Sequence, residues 1–187
     1  LVAVRTSLKN GHGECRNGVL QSVLRDEEGK VVAEQENPFS LEGGDDCCLE
    51  QTLTVSKPLL WHPYHPHLYE LECQVKVDGK TVDSRTETIG IRAIRYDRDK
   101  GFFINGEHLY RHQSFPYVGD AASNSMQERD VIDMKRGGYN AVRAAHYPQD
   151  PAFLAACDRY GLLVVECIPG WQYFNEDPVF TERLCQG

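Results

Sequence analysis

The sequence predicts an antiparallel β-sandwich followed by alternating helices and strands of a parallel sheet. Residues 1–95 consist of short runs rich in Val, Leu and Thr, many of which alternate apolar and polar residues, with Gly, Asp and Asn between them. After Arg95 the apolar period lengthens to that of helices, and short apolar strands follow each helix. A chain of 187 residues has room for two small domains, which we place at 1–95 and 96–187.

The first half is predicted to form six strands. Their expected ranges are 2–8, 18–25, 30–35, 49–55, 68–77 and 80–91. The dipeptide Asp78-Gly79 predicts a two-residue hairpin turn between the last two strands. Short strands separated by turns at this density are typical of an immunoglobulin-like sandwich, so we interpret this half as a scaffold.

The second half carries helix start and stop signals. Ser125 and Glu128 fit a capping box, which predicts a helix that ends at Gly137. Asp150, followed by Pro, predicts the start of a second helix, and Gly161 predicts its end. Short apolar strands are expected after these two helices, at 140–143 and 162–166. This order indicates α/β units that contribute to a parallel sheet.

Polar side chains follow both predicted parallel strands, where functional residues of such units lie. Arg143 ends the first strand and His146 comes just after it, while Glu166 ends the second strand and Trp171 comes after it. An Arg can hold a carboxylate through two hydrogen bonds, and a His can bind a hydroxyl or move a proton. Structural roles are the alternative: Arg143 and His146 would bind backbone carbonyls, Glu166 would pair with Arg143, and Trp171 would pack a loop.

The histidines between Trp61 and His67 resemble a metal cluster, but we predict that they bind no metal. Pro63 and Pro66 are expected to hold this stretch extended, and no Cys or carboxylate lies at ligand spacing. The seven cysteines are odd in number, include the adjacent pair Cys47-Cys48 and form no Cys-x-x-Cys motif, so we interpret them as reduced thiols.

The charge and hydropathy of the chain exclude two classes of partner. The net charge is −8 and the isoelectric point is near 5.3, which argues against a surface for nucleic acid or anionic lipid. The mean hydropathy is −0.49, and no stretch approaches the roughly 18 apolar residues of a membrane span. We therefore expect no nucleic-acid or membrane partner.

Four stretches of the sequence resemble motifs of glycoside hydrolase family 2. They are Asn140-x-Val-Arg143-Ala-Ala-His146-Tyr147-Pro148, which continues to Asp158-Arg-Tyr-Gly161, then Leu60-Trp61-His-Pro63-x-x-Pro66-x-Leu68-Tyr69, Asp99-Lys-Gly101-Phe-Phe-Ile-Asn105-Gly106, and Arg111-His112-Gln-Ser-Phe115-Pro116-Tyr-Val-Gly119. The last resembles the β-galactosidase branch most. The resemblance is weak over residues 1–55 and strong from Trp61 onward.

The resemblance implies an immunoglobulin-like sandwich followed by a (β/α)₈ TIM barrel, of which this chain holds about the first three βα units. It also implies retaining hydrolysis of terminal β-D-galactosides by two Glu residues, an acid/base and a nucleophile. The family places both on later barrel strands, beyond residue 187, so we expect a fragment without either catalytic Glu that is inactive alone. The alternatives are a β-glucuronidase or β-mannosidase of the same family, or a non-catalytic carbohydrate-binding module that uses Trp61 and Trp171.

Within this chain the resemblance implies a set of substrate-side residues. Arg143 matches an Arg that hydrogen-bonds the nucleophile, and His146 matches a His that faces the sugar subsite. His112 matches a substrate-side His after the first barrel strand, and Trp171 sits where an aromatic ring would stack on a sugar.

Two departures from the family pattern concern the barrel. Five residues of the first barrel strand are missing between Tyr110 and Arg111, and since a parallel barrel cannot close normally without that strand, we expect them to be missing from the sequence rather than from the protein. Cys167 stands where relatives commonly have Glu, which leaves a role of that carboxylate in doubt.

The expected ligand is a β-galactoside or a related carbohydrate. No cofactor is expected in this chain, while a divalent or monovalent cation in the complete enzyme stays open. A homo-oligomer and a cytoplasmic or periplasmic location in a bacterium also stay open.

Overall fold

A computed structural model of the chain describes residues 1–110, 113–114, 123–145, 148–167 and 175–186, with the backbone alone at 113, 114 and 186. The chain divides into two compact units, one formed by Leu1–Leu60 with His67–Ile91 and the other by Trp61–Pro66 with Arg92–Gly187. In chain order the elements are β1 (Val2–Lys9), β2 (Arg16–Arg25), β3 (Val31–Leu41), β4 (Asp46–Leu53), β5 (Trp61–His62), β6 (His65–Pro66), β7 (Tyr69–Val77), β8 (Lys80–Ile89), β9 (Ile94–Asp97), β10 (Gly101–Ile104), β11 (Glu107–His108), β12 (Gln113–Ser114), α1 (Asn124–Arg136), β13 (Ala141–Arg143), α2 (Pro151–Tyr160), β14 (Leu163–Val165) and α3 (Pro178–Gln186).

The first unit is a sandwich of two antiparallel sheets. One sheet has the strand order β3-β2-β7-β8, and the other consists of β1 and β4. Its core contains apolar side chains from both sheets, namely Val4, Leu8, Leu20, Leu24, Leu41, Leu53, Tyr69 and Leu71. The buried hydroxyl of Ser22 donates a hydrogen bond to Oε1 of Gln51 at 2.6 Å. This bond across the two sheets gives both buried polar side chains a partner.

The six predicted strands of the first unit are confirmed, and the differences lie at their ends. Burial alternates along β1, whereas β8 is exposed along almost its whole length. The turn between β7 and β8 is the predicted Asp78-Gly79, with both φ angles positive, as a type I′ hairpin requires. Strand β3 extends to Leu41, six residues past the predicted end at 35. It lies at the edge of its sheet, where a strand tolerates Pro38 because the missing N–H need not pair with a neighbouring strand.

The second unit begins with an antiparallel sheet of order β11-β10-β9 that the sequence analysis did not predict. Asn105 and Gly106 form the turn between β10 and β11 with φ angles of 52° and 87°. An Asn-Gly pair is a strong hairpin signal and would have identified this element.

A parallel sheet of order β12-β13-β14 follows, and α1 and α2 pack on one of its faces. The apolar contact consists of Val131 of α1, Phe153, Ala156 and Cys157 of α2, and Val142 and Leu162 of the sheet region. Burial raises the pKa of the Cys157 thiol to about 12, so this cysteine packs as an uncharged apolar group.

The ends of the two helices test the predicted caps. The prediction for α2 is confirmed: Oδ1 of Asp150 accepts from the Ala152 N–H at 2.7 Å, and Gly161 ends the helix at φ 81°. For α1 the predicted end at Gly137 is confirmed, but the predicted start was wrong, because Ser123 is the N-cap and its side chain accepts from the Met126 N–H. Glu128 is therefore too far along the helix to close a capping box.

Strands β5 and β6 form a tight hairpin, which corrects the extended conformation expected for residues 61–67. His62 pairs with His65, and Pro63 and Tyr64 form the turn. Pro63 occupies the first central position of a β-turn, where its fixed φ is favourable, so proline promotes the turn here instead of preventing it. This hairpin belongs to the second unit, although it lies within residues 1–95 of the sequence.

Candidate functional site

Arg143 ends β13 at the carboxyl edge of the parallel sheet. Its backbone lies in register with Val165 of β14, and its side chain is exposed. The neighbouring residues Val142 and Val164 face the core formed with the helices. Because side chains alternate along a strand, Arg143 and Val165 lie on the sheet face away from the helices. An Arg at this position presents its guanidinium at the edge where α/β units place functional groups.

Glu166 directly follows β14 at the same edge of the sheet. Its Oε1 accepts a hydrogen bond from the backbone N–H of Gln149 at 2.9 Å, just before α2 begins. The structure does not support a pairing of Glu166 with Arg143, because the Glu166 carboxylate binds the backbone of the loop after β13.

The opposite, amino-terminal edge of the sheet is held by Asn140, which is fully buried. Its Nδ2 donates to the carbonyl oxygen of Tyr110 at 2.8 Å and to the hydroxyl of Tyr64 at 3.3 Å. Its own carbonyl accepts from the Leu163 N–H at 3.0 Å. Sequence reasoning used Asn140 only as the first residue of a motif and missed this role.

The β5–β6 hairpin is bound to the rest of the second unit by side-chain hydrogen bonds. Nε1 of the fully buried Trp61 donates to the carbonyl oxygen of Asp158 at 2.8 Å. Nζ of Lys135 donates to the carbonyl oxygens of Pro63 at 2.9 Å and Gly161 at 3.0 Å. Burial lowers the pKa of Lys135. Trp61 is thus a core residue, which removes it as a sugar-stacking platform.

Three of the predicted site residues, His112, His146 and Trp171, lie outside the described residues. Arg143 is therefore the predicted site residue whose position the structure gives.

Two other kinds of site find no support in the described residues. Within them, no group of three or more His, Cys, Asp or Glu side chains could hold a metal ion. In that same part of the chain, no helix combines the length and apolar composition that a membrane crossing requires.

Two family models match the chain, one on each side of the change in sequence period. Residues 1–92 match the model described as glycosyl hydrolases family 2, and residues 97–175 match the model described as glycosyl hydrolases family 2, TIM barrel domain. The chain belongs to glycosyl hydrolases family 2. The predicted fold is confirmed: a sandwich domain is followed by the start of a TIM barrel, whose parallel strands include β12, β13 and β14.

Relatives of this family 2 chain carry two different enzyme names. A β-galactosidase from Thermoanaerobacter pseudethanolicus is 42% identical over 133 residues, which are 68% of this chain and 18% of that protein. A β-glucuronidase from Bacteroides fragilis is 37% identical over 146 residues, which are 75% of this chain and 21% of that protein. The crystal structure of a Bacteroides uniformis β-glucuronidase aligns with a TM-score of 0.86 at 28% identity, covering 98% of this chain and 23% of that one.

These matches give the size of the chain relative to its family. It spans 18% and 21% of the lengths of these two curated relatives, both of which are bacterial proteins. The two relatives agree on a family 2 glycosidase and differ in the sugar that their names specify.

Proposed function

We propose that the full-length protein is a retaining glycosidase that hydrolyses terminal β-D-galactosides, and that this chain supplies its scaffold and part of its sugar site. The observation that supports the proposal best is Arg143, an exposed guanidinium at the carboxyl end of the second parallel strand. The 42% identity to a protein named β-galactosidase favours galactosides as the substrate class.

In the proposed mechanism Arg143 acts on the nucleophile, a Glu that lies beyond residue 187. Retaining hydrolysis requires this carboxylate to attack the anomeric carbon while a second carboxyl group protonates the departing oxygen. A guanidinium that hydrogen-bonds a carboxylate stabilises its ionised form and lowers its pKa. Arg143 would thus keep the nucleophile charged and oriented before each attack.

The remaining site residues have proposed roles on the substrate side. His112 and His146 would bind sugar hydroxyls, and Trp171 would stack on a sugar ring. The catalytic carboxyl groups lie outside the chain, so we propose that it has no hydrolytic activity alone.

A β-glucuronidase is the second candidate, because relatives and structural neighbours with that name match the chain with good coverage. A β-mannosidase of the same family is a third. The candidates differ in the sugar and share the mechanism, so a comparison of substrates separates them.

The test of substrate class compares nitrophenyl β-galactoside, β-glucuronide and β-mannoside as substrates of the purified full-length protein. We expect the highest kcat/KM for the galactoside. A highest value for the glucuronide or mannoside would transfer the assignment to that sugar, and no turnover of any of the three would contradict a glycosidase. The 187-residue chain is measured in parallel. Turnover by that chain, abolished by a mutation within it, would contradict its proposed inactivity.

The test of the Arg143 role is Arg143→Lys in the full-length protein. Lys keeps the positive charge and loses the two-pronged hydrogen bond, so we expect kcat to fall by about 10²-fold. Because the pKa of the nucleophile would then be higher, the acid limb of the kcat/KM profile should move to higher pH. Arg129→Lys on the exposed surface of α1 is the matched control. An Arg143→Lys profile that coincides with the control would rule out the role.

A further inference from the structure

Asn140 is a fully buried polar residue at the point where the first three parallel strands begin. Its side chain donates to the carbonyl oxygen of Tyr110, three residues before β12. Its backbone carbonyl accepts from the N–H of Leu163, the first residue of β14. Strand β13 starts at Ala141, the residue directly after Asn140. One residue therefore connects the amino-terminal ends of all three strands.

The register of β12 and β13 decides which face of the sheet each side chain lies on. Among the described residues, the ladder joins Gln113 to Ala141 and Ser114 to Val142. A one-residue slip would move every side chain of a strand to the opposite face. The 2.8 Å bond from Asn140 to Tyr110 adds a fixed point just before this ladder.

The face of β13 matters because of Arg143, three residues after Asn140. In the observed register Val142 packs against the helices and Arg143 lies on the other face. After a one-residue slip the guanidinium would face the apolar core of Val131, Phe153 and Ala156, where a charge is strongly disfavoured. Smaller shifts would still displace the guanidinium from its partner.

We propose that Asn140 is a positioning residue of the sugar site: its side-chain amide fixes β13 relative to the first parallel strand and thereby orients Arg143. The proposal rests on the proposed function, because it acts through the contact of Arg143 with the nucleophile. The alternative is a purely structural role, in which Asn140 only satisfies the carbonyl of Tyr110.

Kinetics of the full-length protein separate these roles. In Asn140→Ala we expect kcat to fall by about 10-fold or more with little change in KM, since displacements of about 1 Å in an active site have effects of up to 10²-fold. The acid limb of the pH profile should move to higher pH, as in Arg143→Lys. The control is Val131→Ala, which opens a cavity in the core between the helices and leaves the Asn140 bonds in place.

A double-mutant cycle gives the decisive comparison. If Asn140 acts through Arg143, then Asn140→Ala in an Arg143→Lys background should lower kcat by less than about 3-fold, an order-of-magnitude expectation for coupled residues. Equal losses in both backgrounds, or a loss no greater than that of Val131→Ala, would overturn the proposal. If Asn140→Ala does not fold, Asn140→Ser, which keeps one donor, is measured in the same way.

A second readout keeps this test separate from the proposed function. If the wild-type protein hydrolyses none of the three glycosides, the proposed function fails. Amide hydrogen exchange then tests whether Asn140 fixes β13 relative to the first parallel strand. We expect exchange at Gln113, Ser114 and Val142 to accelerate by about 10-fold more in Asn140→Ala than in Val131→Ala, because local opening follows the loss of local bonds. Equal acceleration in the two variants would overturn the proposal.

Discussion

At the residue scale, Gly161 shows how one position can join a helix end to a distant loop. It ends α2 at φ 81°, and its N–H donates to the Cys157 carbonyl at 2.9 Å. A Cβ placed there would lie 2.3 Å from the carbonyl oxygen of Pro63 in the β5–β6 hairpin. The left-handed conformation and the close approach of another backbone both require glycine.

Gly161→Ala should destabilise the protein more than Gly138→Ala. Gly138 has φ 84°, and no atom lies within 4 Å of the position that a Cβ would take, so Ala there carries only the conformational cost of about 1–2 kcal/mol. At Gly161 the contact with Pro63 adds about 1–3 kcal/mol, because backbone cannot move aside as a flexible side chain does. Denaturant unfolding of both variants measures the difference, and equal losses would contradict the close packing of the hairpin on Gly161.

Residue-scale signals in the sequence identified some of these positions and not others. Gly161 and Asp150 were predicted as helix caps because capping depends on residues within one helical turn. The N-cap of α1 was predicted at Ser125 from its spacing to Glu128, but Ser123 precedes the same run, and the sequence does not show which serine leaves the helical conformation. The role of Asn140 depends on a carbonyl 30 residues away and has no local signal.

At the element scale, α1 and α2 are joined by polar contacts at the surface as well as by their apolar core. Oε1 of Glu128 on α1 accepts from the Tyr160 hydroxyl at 3.0 Å and from Nη2 of Arg159 at 3.1 Å. The hydrogen bonds from Tyr160 and Arg159 lower the pKa of Glu128 below its usual 4.5. The ionised carboxylate therefore stabilises the contact between the two helices.

Glu128→Gln should weaken this contact in a pH-dependent way. Because the pKa of Glu128 is lower in the folded state, its contribution is present above pH 4.5 and is lost as the pH falls through the folded value. The variant should thus be less stable than the wild type at pH 7, and the gap should close as the pH drops below 4.5. Thermal unfolding from pH 7 to pH 3 measures the gap, with Asp130→Asn on the same helix as the control. A gap that stays constant with pH would contradict the assignment.

The existence of most elements followed from sequence, while their boundaries and one whole sheet did not. Alternation predicted strands such as β1, β2 and β7 because they bury residues on one face, whereas β8 is exposed along almost its whole length. It missed β9–β11, because strands of four, four and two residues are too short to give a clear periodic pattern. The prediction of an extended segment at 61–67 was wrong because the same prolines that resist a helix also favour a turn.

At the scale of the whole molecule, the described parallel strands form a sheet with β13 in the centre. Within the described residues, β14 pairs with β13 alone and β12 pairs with β13 alone. Exposed edges of parallel strands offer unpaired backbone groups to another chain.

We expect the 187-residue chain to associate in solution in a concentration-dependent manner. The physical reason is that β14 pairs with β13 alone in the described residues, so its outer N–H and C=O groups would be open to pairing with a second copy. Static light scattering over a dilution series measures the mass. A monomer mass at every concentration, with equal amide protection in both units, would contradict this expectation.

The sequence by itself determined the sandwich, the change to α/β units, the helix caps at Asp150 and Gly161, and the membership of glycosyl hydrolases family 2. These features depend on residues that are near one another in the chain, so local patterns record them. Only the tertiary structure decided that the β5–β6 hairpin belongs to the second unit and that Asn140 joins three strands. Trp61 and Asp158 are 97 residues apart, and a hydrogen bond across that separation leaves no periodic signal in either segment.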